Sequence, residues 1–162
     1  MQASHSKVLV VEDDTQILLG LYKRLTRAGF DVLAASCGHA AIECARTYLP
    51  DVMTLDVRLP DVDGIEVASI LRDGSRTARI PIVFITAKVD RDLRDAAEEA
   101  GRHRFFIRKP YDPELLIQLL NSMLARDELA GIQQISKAKR RQPVASHDWP
   151  TAGPPETQWR PF

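Results

Sequence analysis

The sequence predicts an α/β fold, a doubly wound five-stranded parallel sheet with five helices. Three observations carry the prediction. Short apolar runs alternate five times with segments whose apolar residues recur at helical spacing. The central run, Val52-Met53-Thr54-Leu55, fits a strand buried on both faces, as parallel sheets require. Glycine and proline fall at the junctions, at Gly29, Pro50 and Gly101. Right-handed crossovers between such strands place helices on both faces.

The elements follow in order. Lys7-Val8-Leu9-Val10-Val11 is β-branched and reads as strand one, ending in the acidic triplet Glu12-Asp13-Asp14. Thr15 leads into helix one, with Ile17, Leu18, Leu21 and Leu25 on one face and a stop at Gly29. Asp31 to Ala35 is strand two. Helix two turns Ala41, Ile42, Ala45, Tyr48 and Leu49 inward and ends at Pro50. Strand three is the central run, closing on Asp56, a Leu-Pro turn and Asp63-Gly64. Asp63 can cap helix three, which runs to about Asp73 with Ile65, Ala68 and Leu71 inward. Ile80 to Ile85 is strand four, followed by Thr86-Ala87-Lys88. Helix four, about Val89 to Ala100, is the least apolar of the set. Arg104 to Arg108 is strand five, leading to Lys109-Pro110. Helix five starts clearly, with Asp112 as N-cap, Pro113 at the first position and Glu114 in the first turn.

From about Asp127 the periodicity is lost. Lys137 to Arg141 is a small basic cluster, and the rest is rich in proline and poor in aliphatics. The expectation is one domain over 6–126 and a flexible basic, Pro-rich tail over 127–162.

Composition narrows the function. The chain has 162 residues, with 22 Lys and Arg balancing 22 Asp and Glu, so its net charge points to neither nucleic acid nor a membrane surface. No apolar run approaches the roughly 18 residues of a membrane span, no signal peptide is visible, and the expected compartment is the cytoplasm. Cys37 and Cys44 have no metal or redox spacing and read as free thiols. His5, His39, His103 and His147 are scattered, and none has ligand spacing with another.

Parallel strands bring their C-terminal ends to one edge, where open α/β sheets bind ligands. That edge collects Glu12 and Asp13, Asp56, Thr86 and Lys109. Carboxylates about 4 Å apart repel by roughly 1 to 4 kcal/mol per pair, depending on the effective dielectric. One lysine cannot offset three of them. A hard divalent cation can, and few oxygen ligands with retained waters suit Mg2+. With Mg2+ and Lys109 in place the pocket attracts a phosphoryl group, and Asp56 becomes a plausible nucleophile.

The paired acids after strand one, Asp56 in D-V-R-L-P-D-V-D-G, Thr86-Ala87 and Lys109-Pro110 together resemble the receiver domain of two-component response regulators, a flavodoxin-like fold. The resemblance covers about residues 6 to 126 and rests on the order and spacing of all these residues. It implies that Asp56 is the phosphoacceptor. By the same resemblance Asp13 is the direct Mg2+ ligand, Glu12 acts through a metal-bound water, and the backbone carbonyl of Arg58 is a further ligand. Thr86 and Lys109 then sense and bind the phosphoryl group, and Phe106 is the aromatic switch that turns inward when Thr86 moves. The Lys109-Pro110 bond is expected to be cis. Phosphorylation then reshapes the face of helix four, strand five and helix five.

The implied partners are a sensor histidine kinase or histidine phosphotransfer protein and a downstream protein target. The resemblance also allows a homodimer through helix four, strand five and helix five. The implied chemistry is a switch that catalyses only its own phosphorylation and dephosphorylation. Glu12 stands where many relatives have Asp, and metal binding is expected to survive that change. Arg58 and Lys88 sit two residues beyond Asp56 and Thr86, at positions resembling those that set dephosphorylation rate, and imply a longer-lived aspartyl phosphate. The leading reading is a stand-alone switch acting by protein contact, and the alternative is the receiver fragment of a longer regulator with a DNA-binding or other output domain. A haloacid-dehalogenase-type phosphatase would need a second aspartate at position 58, which is Arg. A degenerate receiver conflicts with the filled polar positions. A minimal DNA contact through the basic tail is disfavoured.

Overall fold

In the computed structural model, residues 6–87, 89, 91–99, 104–125 and 159–161 are described. They form β1 (Lys7–Val11), α1 (Thr15–Arg27), β2 (Asp31–Ala35), α2 (Gly38–Tyr48), β3 (Val52–Asp56), α3 (Gly64–Arg72), β4 (Ile82–Thr86), α4 (Arg91–Glu99), β5 (Arg104–Arg108), α5 (Pro113–Leu124) and β6 (Trp159–Pro161). The sheet order is β2-β1-β3-β4-β5-β6. β1 to β5 are all parallel, as the fivefold alternation predicts. β6, which the sequence did not announce, runs antiparallel along β5 with Phe106 opposite Arg160. Pro161 has no N–H to offer a further strand, which suits the outermost position of a sheet. The rest of the expected tail, with its basic cluster 137–141, lies outside the described residues.

The chain leaves β1 toward β2, then returns past β1 to β3. That reversal puts α1 and α5 on one face and α2, α3 and α4 on the other. Leu21, Leu25, Leu116, Leu119 and Leu120 pack on Val8, Val10, Val83 and Ile85 from the first side. Ala41, Ile42, Ala45, Val67, Leu71 and Ala97 pack on Leu9, Met53, Leu55 and Phe84 from the second. β3 and β4 are buried along their whole length because both faces are covered. Full burial of each such aliphatic side chain contributes about 1.5–3 kcal/mol.

Helix ends follow local chemistry. Asp14 caps α1 by accepting from Gln16 N–H at 2.8 Å and Ile17 N–H at 3.1 Å. Gly29, at φ 94, takes the left-handed turn that closes the helix before β2. Asp112 and Pro113 start α5 as expected, with Asp112 accepting from Glu114 N–H at 2.9 Å.

Three details differ from the sequence expectation. Ile17 is 39% exposed, and the fully buried set on α1 begins with Leu21. Tyr48 is 53% exposed because the helix stops there, with Leu49 in the left-handed region at φ 47. β4 starts at Ile82 rather than Ile80, since Pro81 has no N–H to pair and only its carbonyl engages, accepting from Met53 N–H at 2.9 Å.

Candidate functional site

The strand order reverses at β1 and β3, and the loops leaving them diverge there to open a cleft. Glu12 follows β1 directly, its N–H bonded to the Ala35 carbonyl at 3.2 Å, and its residue is 2% exposed. Asp13 beside it is exposed. Asp56 ends β3 and is 7% exposed. One ligand oxygen from each of these three carboxylates lies within 4.8 Å of the others.

Lys109 enters from the end of β5. Its ammonium donates to Glu12 Oε2 at 2.8 Å and to Asp56 Oδ2 at 2.6 Å. The other Asp56 oxygen, Oδ1, accepts the Arg58 N–H at 3.0 Å. The Lys109–Pro110 bond is cis, and Lys109 N–H bonds the Thr86 carbonyl at 2.7 Å, joining the β4 and β5 ends. Thr86 is buried at that end of β4, on the same sheet face as Phe84 by strand alternation. Phe106 on β5 is turned inward and stacked on Phe84, with ring centroids 5.1 Å apart.

Gly64 is required by close approach. A Cβ there would meet the Asp56 carbonyl oxygen at 2.3 Å, and its N–H bonds the Val57 carbonyl at 2.8 Å. The turn thus closes tightly under Asp56. Asp63 caps α3 through Ile65 N–H at 2.8 Å.

The charges are under tension. Burial pushes the Glu12 carboxyl above its usual range, outweighing the hydrogen bond and charge of Lys109. Burial acts to lower the Lys109 ammonium, but its bonds to Asp56 and Glu12 prevail and hold it above the ordinary lysine value. Among the described residues, three carboxylates gather around the bonded ammonium of Lys109, with the exposed Arg58 at the margin. The cleft's donors are all hard oxygens, the set a hard divalent cation takes, so the residues present fit a metal ion.

The structure therefore brings together Glu12, Asp13, Asp56 and Lys109, places Thr86 and the Arg58 backbone at their margin, and sets Phe106 against the core below. Lys88 lies outside the described residues. A residue that sequence reasoning passed over is Asp61. It accepts the N–H groups of Gly38 at 2.7 Å and His39 at 2.9 Å, and contacts His39 Nδ1 at 2.6 Å. A signal for it existed in the poor capping chemistry of Cys37 at the start of α2.

The site is thus an acidic, metal-fitting cleft at the reversal of an open parallel sheet, with a lysine bridging Glu12 and the central aspartate. The chain matches the family described as the response regulator receiver domain over residues 8–121. It is 36% identical over 127 residues to the alkaline phosphatase synthesis transcriptional regulatory protein PhoP of Bacillus subtilis, covering 78% of this chain and 52% of that one. It is likewise 36% identical over 141 residues to the transcriptional regulatory protein KdpE of Mycobacterium tuberculosis, covering 87% and 58%. The chain thus spans a little over half the length of these relatives. The chemotaxis response regulator CheY4 of Vibrio cholerae superposes with a TM-score of 0.69 at 28% identity, covering 75% of this chain and 100% of that one. The chain belongs to the response regulator receiver family, the phosphoacceptor switches of two-component signalling. Among the described residues no helix is long and apolar enough to cross a membrane.

Proposed function

We propose that Asp56 accepts a phosphoryl group in a Mg2+-dependent reaction, in the cytoplasm, from a sensor histidine kinase or histidine phosphotransfer protein. The observation that carries this is Asp56 itself: a nearly buried carboxylate held at both oxygens, by Lys109 Nζ and Arg58 N–H, beside Glu12 and Asp13. A carboxylate offers about four lone-pair sites, so two hydrogen bonds orient it and leave electron pairs for attack. An Asp56 oxygen forms the new bond to phosphorus as the donor's P–N bond breaks, and that electron pair leaves with the imidazole.

Glu12, Asp13, Asp56 and the Arg58 carbonyl would hold Mg2+, which supplies the positive charge that lets anionic carboxylate and phosphoryl oxygens meet. Lys109 stands where its ammonium can leave Glu12 for a phosphoryl oxygen, and the Thr86 hydroxyl can take another. Thr86 and Phe106 then relay the change to the face of α4, β5 and α5. The downstream protein target meets the domain there, and the same face serves a homodimer. The domain turns over no other substrate.

Arg58, exposed beside Asp56, and Lys88 slow hydrolysis of the acyl phosphate by obstructing the attacking water. A fast loss of phosphate, unchanged in Arg58→Ala and Lys88→Ala, would contradict that. For the reaction itself, 31P NMR with a small acyl-phosphate donor and Mg2+ should show a protein acyl phosphate that hydroxylamine discharges. A hydroxylamine-stable phosphate, or none with the donor consumed normally by a control receiver, would overturn the assignment.

A further inference from the structure

We infer that Asp61 is a positioning residue for the metal site, tying the loop that carries the Arg58 carbonyl to α2 and so coupling the start of α2 to occupation of the cleft. The inference rests on the Mg2+ reading of the cleft given above.

The start of α2 needs acceptors for its unpaired N–H groups, and its own N-cap, Cys37, makes no side-chain cap bond. Asp61 supplies them from the β3–α3 loop. Oδ1 takes the Gly38 N–H at 2.7 Å and Oδ2 takes the His39 N–H at 2.9 Å. The His39 ring adds a contact at 2.6 Å, in which an ionised carboxylate can only accept, so Nδ1 carries the proton. The His39 N–H above all, joined by that of Gly38, holds the Asp61 carboxyl well below the usual carboxylate range.

A second, independent contact joins the same two segments. A Cβ on Gly38 would lie 2.9 Å from Val62 Cβ and 3.1 Å from the Val62 carbonyl oxygen, so loop and helix already touch there. The loop's ends are fastened elsewhere, by Arg58 N–H on Asp56 Oδ1, Gly64 N–H on the Val57 carbonyl and Asp63 on α3. Asp61 fastens the stretch between. The Arg58 carbonyl lies between the Asp56 and Asp61 anchors, so its aim depends on both. By reciprocity, a ligand that fixes that carbonyl must also steady the Asp61 bonds and the two amides they hold. A cap with no role beyond α2 would leave Mg2+ affinity untouched.

The test compares wild type, Asp61→Ala and Asp61→Asn by amide exchange and by NMR titration with Mg2+, with Leu9 and Val83 amides reporting global opening. Without metal, the amides of Val57, Arg58 and Leu59 should exchange about tenfold faster in Asp61→Ala, and in the titration Mg2+ affinity should fall about tenfold, the size seen when groups supporting a ligand are removed. Asp61→Asn should fall between wild type and Asp61→Ala, since its one amide oxygen replaces only one of the two carboxylate oxygens and its NH2 cannot accept from an N–H. Mg2+ should further protect Gly38 and His39 in wild type and not in Asp61→Ala. Equal Mg2+ affinity in wild type and Asp61→Ala, with Leu9 and Val83 unchanged, would overturn this inference alone. A wild type showing no Mg2+ response at Asp13 or Asp56 would overturn the metal reading and this inference with it.

Discussion

Removing one charge from the cleft should invert the order of stability with and without Mg2+. In Asp13→Asn the side chain keeps its size and loses its charge. The ligand oxygens of Glu12, Asp13 and Asp56 lie no farther than 4.8 Å apart, while the Lys109 ammonium is bonded to Glu12 and Asp56. At that distance each like-charge pair costs about 1 kcal/mol in a water-like surrounding and about 3 kcal/mol at an effective dielectric near 20. Asp13 is exposed, so the lower figure governs its two pairs. Lys109 offsets part of the repulsion, leaving a stabilisation of about 1 kcal/mol or less for Asp13→Asn in EDTA. Mg2+ at a hundred times its dissociation constant stabilises wild type by about 2.7 kcal/mol through linkage. The variant has lost a ligand and gains little. Wild type should therefore be the less stable protein in EDTA and the more stable in Mg2+. Urea unfolding followed by far-UV circular dichroism at matched ionic strength reads this directly, since it follows the helices and sheet of the domain as a whole. An Asp13→Asn variant destabilised in EDTA, or one that keeps the full Mg2+ gain, would refute the account of the cleft.

Three other changes have defined outcomes. Gly64→Ala puts a Cβ 2.3 Å from the Asp56 carbonyl oxygen and 2.9 Å from Val57 Cα, both backbone, so it should cost about 1–3 kcal/mol and slow phosphorylation together. An unchanged melting temperature would count against that close approach. Thr54 is fully buried in β3 and its hydroxyl has no hydrogen-bond partner among the described residues, so Thr54→Val should stabilise by about 1 kcal/mol. A loss of stability instead would reveal a partner, such as a buried water. The Tyr111 phenol is pushed up to about 12, by burial first and by the Glu12 charge next. The folded state then holds that proton longer than the unfolded chain. Stability from this source is complete below the ordinary value of 10.0 and falls as pH rises through it toward 12, by at most about 3 kcal/mol. Lys109, also raised, loses its contribution at high pH in the same sense, so the difference between wild type and Tyr111→Phe isolates the phenol. Phenolate absorbance should show a late-titrating tyrosine in wild type that is lost in Tyr111→Phe.

How much was legible depended on the range of the interaction. Glu12, Asp13, Asp56, Thr86 and Lys109 could be placed together because each ends a parallel strand, and topology alone brings such ends to one edge. Asp112, Pro113 and Gly29 could be read because capping and turn chemistry acts within a few residues. The Asp61 bonds to α2 could not, since they join segments 22 and 23 residues apart through side-chain geometry that carries no sequence period. His39 accordingly looked isolated. Tyr48 and Ile17 misled for a different reason: helical spacing names a face but not where the helix ends or how far its neighbour reaches. β6 pairs through backbone groups, which no residue type announces.

The central claim is that Asp56 takes a phosphoryl group in a Mg2+-dependent reaction. Intact mass after incubation with acetyl phosphate and Mg2+, beside Asp56→Asn and an EDTA control, tests it most directly. One added phosphoryl group in the wild type and none in either control is the predicted result. An adduct that survives in Asp56→Asn or in EDTA, or no adduct in a wild type that demonstrably binds Mg2+, would contradict it.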